Sequence, residues 1–151
     1  MIQSIRLPVA HESSNDALNF LMRGELAAAE TYRHAISAIT GEATAVDLNR
    51  CLRSHDLRAV RLAEHITLAG GTPLSGHGQW GAPARGPDEW AGNRTTRLAA
   101  LEEDERQGLS DYRAVLDQVD DAGVALMRQD LMPEQVRTLG IASMLCRRHA
   151  M

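Results

Sequence analysis

Apolar residues recur along most of this chain at intervals of three and four, the spacing that lines one face of an α-helix. Four such stretches can be separated. The first covers 17–39, preceded by the N-cap candidates Ser13, Ser14 and Asn15 and closed by Thr40-Gly41. The second covers 44–69 and stops at Gly70-Gly71-Thr72-Pro73, a glycine C-cap followed by proline. The third covers 94–119, and Asp120-Asp121 then make a tight turn into a fourth helix that ends near Arg148. Pro133 falls inside that last stretch, where it either kinks the helix or starts its second half. Between the second and third helices, residues 70–93 hold seven of the twelve glycines and three of the five prolines, so they read as one long connection. Short outer connections and one long middle one predict two antiparallel hairpins joined by a crossover, all within a single domain spanning 1–151.

Composition agrees with an all-α chain. Of 151 residues, 44% are apolar and only 3% aromatic, which suits helices better than a β-sandwich. The net charge is −4 and the basic residues are sixteen arginines with no lysine, so a non-specific nucleic-acid footprint is missing. Cys51 and Cys146 form no CxxC pair and suggest neither a zinc knuckle nor a disulfide framework. The chain has no long apolar run and no signal-peptide pattern, and a cytoplasmic, membrane-free location is the expectation.

The candidate chemistry comes from an internal repeat. Leu18, Glu25, Tyr32 and Ile39 in the first helix match Leu98, Glu105, Tyr112 and Val119 in the third at an offset of 80. At an offset of 79, Leu48, Leu52, His55, Arg58, Leu62 and Ile66 in the second match Met127, Leu131, Glu134, Arg137, Ile141 and Leu145 in the fourth. The chain thus reads as a duplicated hairpin. Glu25 and Glu105 lie on the apolar stripe itself, and a buried carboxylate is costly unless it is paired, hydrogen-bonded, protonated or metal-bound. The expected central polar layer collects Glu25, His55, Arg58, Glu105, Glu134 and Arg137, with Tyr32 and Tyr112 nearby.

With these residues placed, the chain resembles the ferritin-like superfamily. GELAAAETYR, LAEHITLAGGTP and EEDERQGLSDYR look most like the small rubrerythrin-related bacterial bundles grouped as domain of unknown function 2383. The resemblance covers about residues 15–147 and implies a ferritin-like four-helix bundle with a long crossover after the second helix. Its di-iron members place one Glu on each of two helices and Glu-x-x-His on each of the other two. Glu25 and Glu105 match the single-Glu helices, but the remaining positions read His55-Asp56-Leu57-Arg58 and Glu134-Gln135-Val136-Arg137. Arginine has no lone pair to give a metal, so Arg58 and Arg137 are instead expected to fork onto the central carboxylates. Two alternatives stand beside this: the arginines snorkel to solvent, or Glu25, His55, Glu105 and Glu134 still hold an iron or manganese ion.

Other candidates carry less. His65 suits the last turn of a helix, His11, His34 and His149 read as surface residues, and Cys146 reads as core. Cys51 lies one turn before His55 without an orienting third group, and Trp80 and Trp90 are expected to pin the crossover to the bundle. The favoured expectation is a bundle without a catalytic site, cofactor or functional di-iron centre, acting as a structural or stress-related interaction module, as a homodimer or with an unknown protein partner. The alternative is an iron- or manganese-binding redox or storage protein resembling rubrerythrin or ferritin.

Overall fold

The computed structural model describes residues 10–74 and 92–149. Four helical rods account for nearly all of them, and no strand occurs among the described residues. The first rod is α1 (His11–Ala38) and the second α2 (Glu42–Leu68), hinged at Gly41, whose φ of 118° is strained for any residue with a side chain. The third is α3 (Arg94–Val115), which tightens into a 3₁₀ turn (Leu116–Gln118). The fourth begins as α4 (Asp121–Leu126), passes through a π-helical turn (Met127–Leu131) and continues as α5 (Met132–His149).

The predicted glycine stop after the second helix is realised. Gly70 takes φ 81° after α2, with its N–H bonded to Thr67 O and that of Gly71 bonded to Ile66 O, the pair of bonds of a Schellman cap. Asn93 caps α3 by accepting from the Thr96 N–H at 2.9 Å, and Asp120 caps α4 by accepting from Gly123 at 2.8 Å. The start of α1 differs from expectation. It begins six residues before position 17, and Ser14 is buried, its hydroxyl accepting from the Asp120 N–H at 3.0 Å. A tertiary partner thus takes the side chain that local reasoning assigns to a cap.

Two apolar clusters form the core. One end packs Leu18, Leu21 and Met22 of α1 with Leu62, Ile66, Val115, Met127 and Leu131. The other packs Ala35 and Ile39 with Leu48, Cys51, Leu98, Leu101 and Leu145. The membership fixes the topology. The C-terminal ends of α2 and α3 share the first cluster and their N-terminal ends the second, so these two helices run parallel. The chain after α2 must therefore return along the whole bundle before α3 can begin, which is the reason for the long crossover. Asn19 of α1 holds its first residues, donating to Thr72 O and accepting from Leu74 N–H. Trp80 and Trp90 lie outside the described residues.

Candidate functional site

Between the two apolar clusters lies a layer of buried polar side chains: Glu25 from α1, His55 and Arg58 from α2, Glu105 from α3, and Gln135 and Thr138 from α5. Each helix supplies them at positions where its apolar stripe would otherwise continue.

His55 is the centre. Its Nδ1 lies 2.6 Å from Glu25 Oε2 and its Nε2 2.8 Å from Glu105 Oε1. Ionised carboxylates only accept, so both ring nitrogens carry hydrogen and the imidazole is an imidazolium. Burial works against that charge, but the Glu105 and Glu25 carboxylates outweigh it and raise the His55 pKa from 6.5 to about 9. The ring of Tyr32 stacks on it with centroids 5.3 Å apart, placing a π-face against the cation.

Arg58 is almost fully buried and supplies the second positive charge. Its guanidinium donates to Glu25 Oε1 at 3.1 Å, to Gln135 Oε1, to Thr138 Oγ1 at 3.2 Å and to the Ser54 carbonyl at 3.3 Å. One of its nitrogens also lies 3.0 Å from His55 Nδ1, but that nitrogen's hydrogen is directed to the nearer Glu25 oxygen. Two carboxylates thus face two cations, and the layer is neutral as a whole.

The remaining bonds lock it. Tyr32 Oη donates to Glu105 Oε1 at 2.7 Å and Tyr112 Oη to Glu25 Oε1 at 2.6 Å, so each tyrosine serves the glutamate of the opposite helix. Burial, followed by the adjacent carboxylate, raises both phenol pKa values and keeps the tyrosines neutral donors. Gln135 Nε2 and Thr138 Oγ1 both donate to Glu105 Oε2 at 2.8 Å. Although burial opposes it, these contacts and the His55 charge hold the Glu105 pKa below its usual value. No buried polar atom of the layer lacks a partner.

The structure thus brings together Glu25, His55, Arg58, Glu105, Tyr32 and Tyr112. It leaves out Glu134 and Arg137, which were expected in the same layer. Their side chains are 35% and 50% exposed, and they pair with each other at 2.9 Å on the bundle surface, where Ser54 also donates to Glu134. The cause is the π turn. There the Met132 N–H bonds to Met127 O, five residues back, and the wider turn accommodates Pro133, which has no N–H to offer. One extra residue turns the following helix by about 100°, so 135, 138 and 142 face inward where an unbroken helix would present 134, 137 and 141. Pro133 is the signal in the sequence that the helix adjusts here, while the one-residue widening, and with it the inward turn of Gln135 and Thr138, is set by the tertiary structure.

Of the other candidates, Cys51 adjoins the layer at Tyr32, and His34, His65 and His149 lie apart from it. Burial pushes the Cys51 thiol up to about 12, so it holds no ready thiolate. His34 pairs with Glu30 at 3.1 Å near the surface, His149 meets Thr44 Oγ1 at 3.3 Å, and His65 lies in the last turn of α2. Of the side chain of His11 nothing is described. Among the described residues, no group of three or more His, Cys, Asp and Glu side chains forms a metal-binding set, and no helix is long and apolar enough to cross a membrane.

A cleft of about 260 Å³ opens between α1 and α3 and reaches Glu25, His55 and Glu105. Gly108 lets Gln135 pass beside it: a Cβ at that position would lie 2.7 Å from Gln135 Nε2.

No protein-family model matches the sequence, and no curated protein matches it. The fold does have a solved counterpart. The crystal structure of a ferritin-like, diiron-carboxylate protein from Bacillus anthracis str. Ames superposes with a TM-score of 0.71, covering 90% of this chain and 96% of that chain at 17% identity. With its two antiparallel hairpins and its parallel α2 and α3, the chain is a four-helix bundle of the ferritin-like fold.

Proposed function

We propose that this bundle holds no di-iron centre, that Arg58 and His55 take the charge-balancing place of metals between its central glutamates, and that it works as a non-enzymatic binding module. The bonding of His55 to both Glu25 and Glu105 carries this reading. The donor set supports it. At the inward positions where the di-iron pattern has Glu-x-x-His, α2 offers His55 and Arg58, and α5 offers Gln135 and Thr138. Guanidinium cannot ligate, and a neutral amide and a hydroxyl are poor substitutes for carboxylate and imidazole. These residues do not fit a di-metal centre. The second reading, iron or manganese binding, draws on the diiron-carboxylate description of the solved counterpart.

Metal analysis of the chain purified without chelator, followed by Fe²⁺ or Mn²⁺ titration, separates the two. Substoichiometric metal in both the wild type and Glu25→Ala is expected. Stoichiometric metal that is lost in Glu25→Ala would overturn the proposal. Combining His55→Glu, Arg58→His, Gln135→Glu and Thr138→His rebuilds Glu-x-x-His on both helices and should create metal uptake. Placing histidine at 137 in place of 138 should not.

A further inference from the structure

The cleft between α1 and α3 has a definite chemical character. Its walls are apolar, with Phe20, Leu21, Ala27, Ala28 and Leu101, and its floor is the polar layer. The hydrogens and lone pairs of that floor decide what it can still bind. His55 uses both N–H groups on carboxylates, Gln135 both amide hydrogens on Glu105, and each tyrosine its one hydrogen on a glutamate. None of these cleft-lining side chains has a donor left. Among the acceptors, Glu25 Oε1 and both Glu105 oxygens each take two hydrogen bonds, whereas Glu25 Oε2 takes only the one from His55. A carboxylate oxygen accommodates about two.

Charge points the same way. Asp104 and Asp111 line the cleft from α3, and among the described residues no arginine does. Among the described lining residues the one cationic group is His55, which lies between two carboxylates. An apolar cavity of about 150 Å³ takes a benzene ring, so this one has room for a ring and a short arm.

We propose that the cleft binds a small primary ammonium compound, its apolar body between α1 and α3 and its –NH₃⁺ group donating to Glu25 Oε2. The proposal rests on the reading that the carboxylates stay bonded to His55 and Arg58. The two can fail separately: stoichiometric metal uptake refutes that reading, whereas a metal-free chain that binds no amine refutes only this proposal. Gly24 provides the blocking position, because it lines the cleft and a Cβ added there meets nothing within 4 Å.

The test is calorimetric titration of the full chain near neutral pH with phenethylammonium, against phenylethanol and phenylacetate, which share the body but change the charge. Saturable binding of the amine is expected, at least about tenfold tighter than the alcohol, with no binding of the acid. Gly24→Leu, checked for helicity by circular dichroism, should weaken the amine by about tenfold or more, and Asp104→Asn with Asp111→Asn by several-fold with a flatter salt dependence. Equal binding of the acid or alcohol, full binding in Gly24→Leu, or no saturable amine binding up to ~10 mM would overturn the proposal.

Discussion

The α2 and α5 sides of the polar layer make an instructive pair. Both helices bond the central glutamates, α2 reaching Glu25 and Glu105 and α5 reaching Glu105, yet α2 contributes the cations His55 and Arg58 while α5 contributes the neutral Gln135 and Thr138. The sequence of α5 does contain a charged pair one residue earlier, Glu134 and Arg137, and the π turn ahead of Pro133 rotates it out to solvent. Had that pair stayed inside, the layer would hold three carboxylates and two arginines besides His55. The extra residue in the turn therefore decides how many charges the core must bury, four in place of six, while the balance is neutral in either register. A buried ion cluster is stable when cations and anions match and every lone pair is met, and α5 completes the set by adding donors and acceptors without charge.

Breaking the α2 side should have the largest effect. Arg58→Ala leaves Glu25 with a buried charge balanced only through His55, and a loss of about 3–5 kcal/mol is expected in urea denaturation. A loss under about 1 kcal/mol would mean that Glu25 is neutralised some other way.

The pH dependence is next. His55 keeps its proton in the fold up to about pH 9, against 6.5 for the ordinary side chain. Its stabilisation is therefore complete below pH 6.5 and lost as pH climbs through about 9, on the order of 3 kcal/mol in all. Glu105 acts in the opposite sense: held below the usual 4.5, it stabilises fully above that value and loses its effect as pH falls through its depressed value. Stability should thus peak between pH 4.5 and 6.5, with the fall between pH 6.5 and 9 removed in His55→Gln. A flat alkaline limb in the wild type would contradict the imidazolium.

The α5 side sharpens the contrast at smaller scale. Gln135→Ala should cost about 1–3 kcal/mol, because it leaves Arg58 and Glu105 each short of a buried hydrogen bond. The neighbouring Glu134→Ala, which breaks a half-exposed ion pair and the hydrogen bond from Ser54, should cost less than about 1 kcal/mol by the same denaturation measurement. Equal costs would place the register of α5 back where an unbroken helix puts it.

The sequence by itself determined the four helices, their pairing into hairpins and the crossover, because helical periodicity and glycine-proline stops are local signals that packing had no reason to override. It also placed Glu25 and Glu105 inside, since both sit on an apolar stripe bounded by leucine and tyrosine a heptad away. His55 and Arg58 were legible for the same reason. What only the tertiary structure decided was the partnership: that His55 bridges both glutamates, that the tyrosines cross to opposite helices, and that Gln135 and Thr138 close the layer. These depend on side-chain reach between rods and on a single residue of helical register. A proline in the sequence flags that a helix must adjust there, but whether it kinks, breaks or widens by one residue is fixed by which choice leaves the buried charges of the neighbouring helices satisfied.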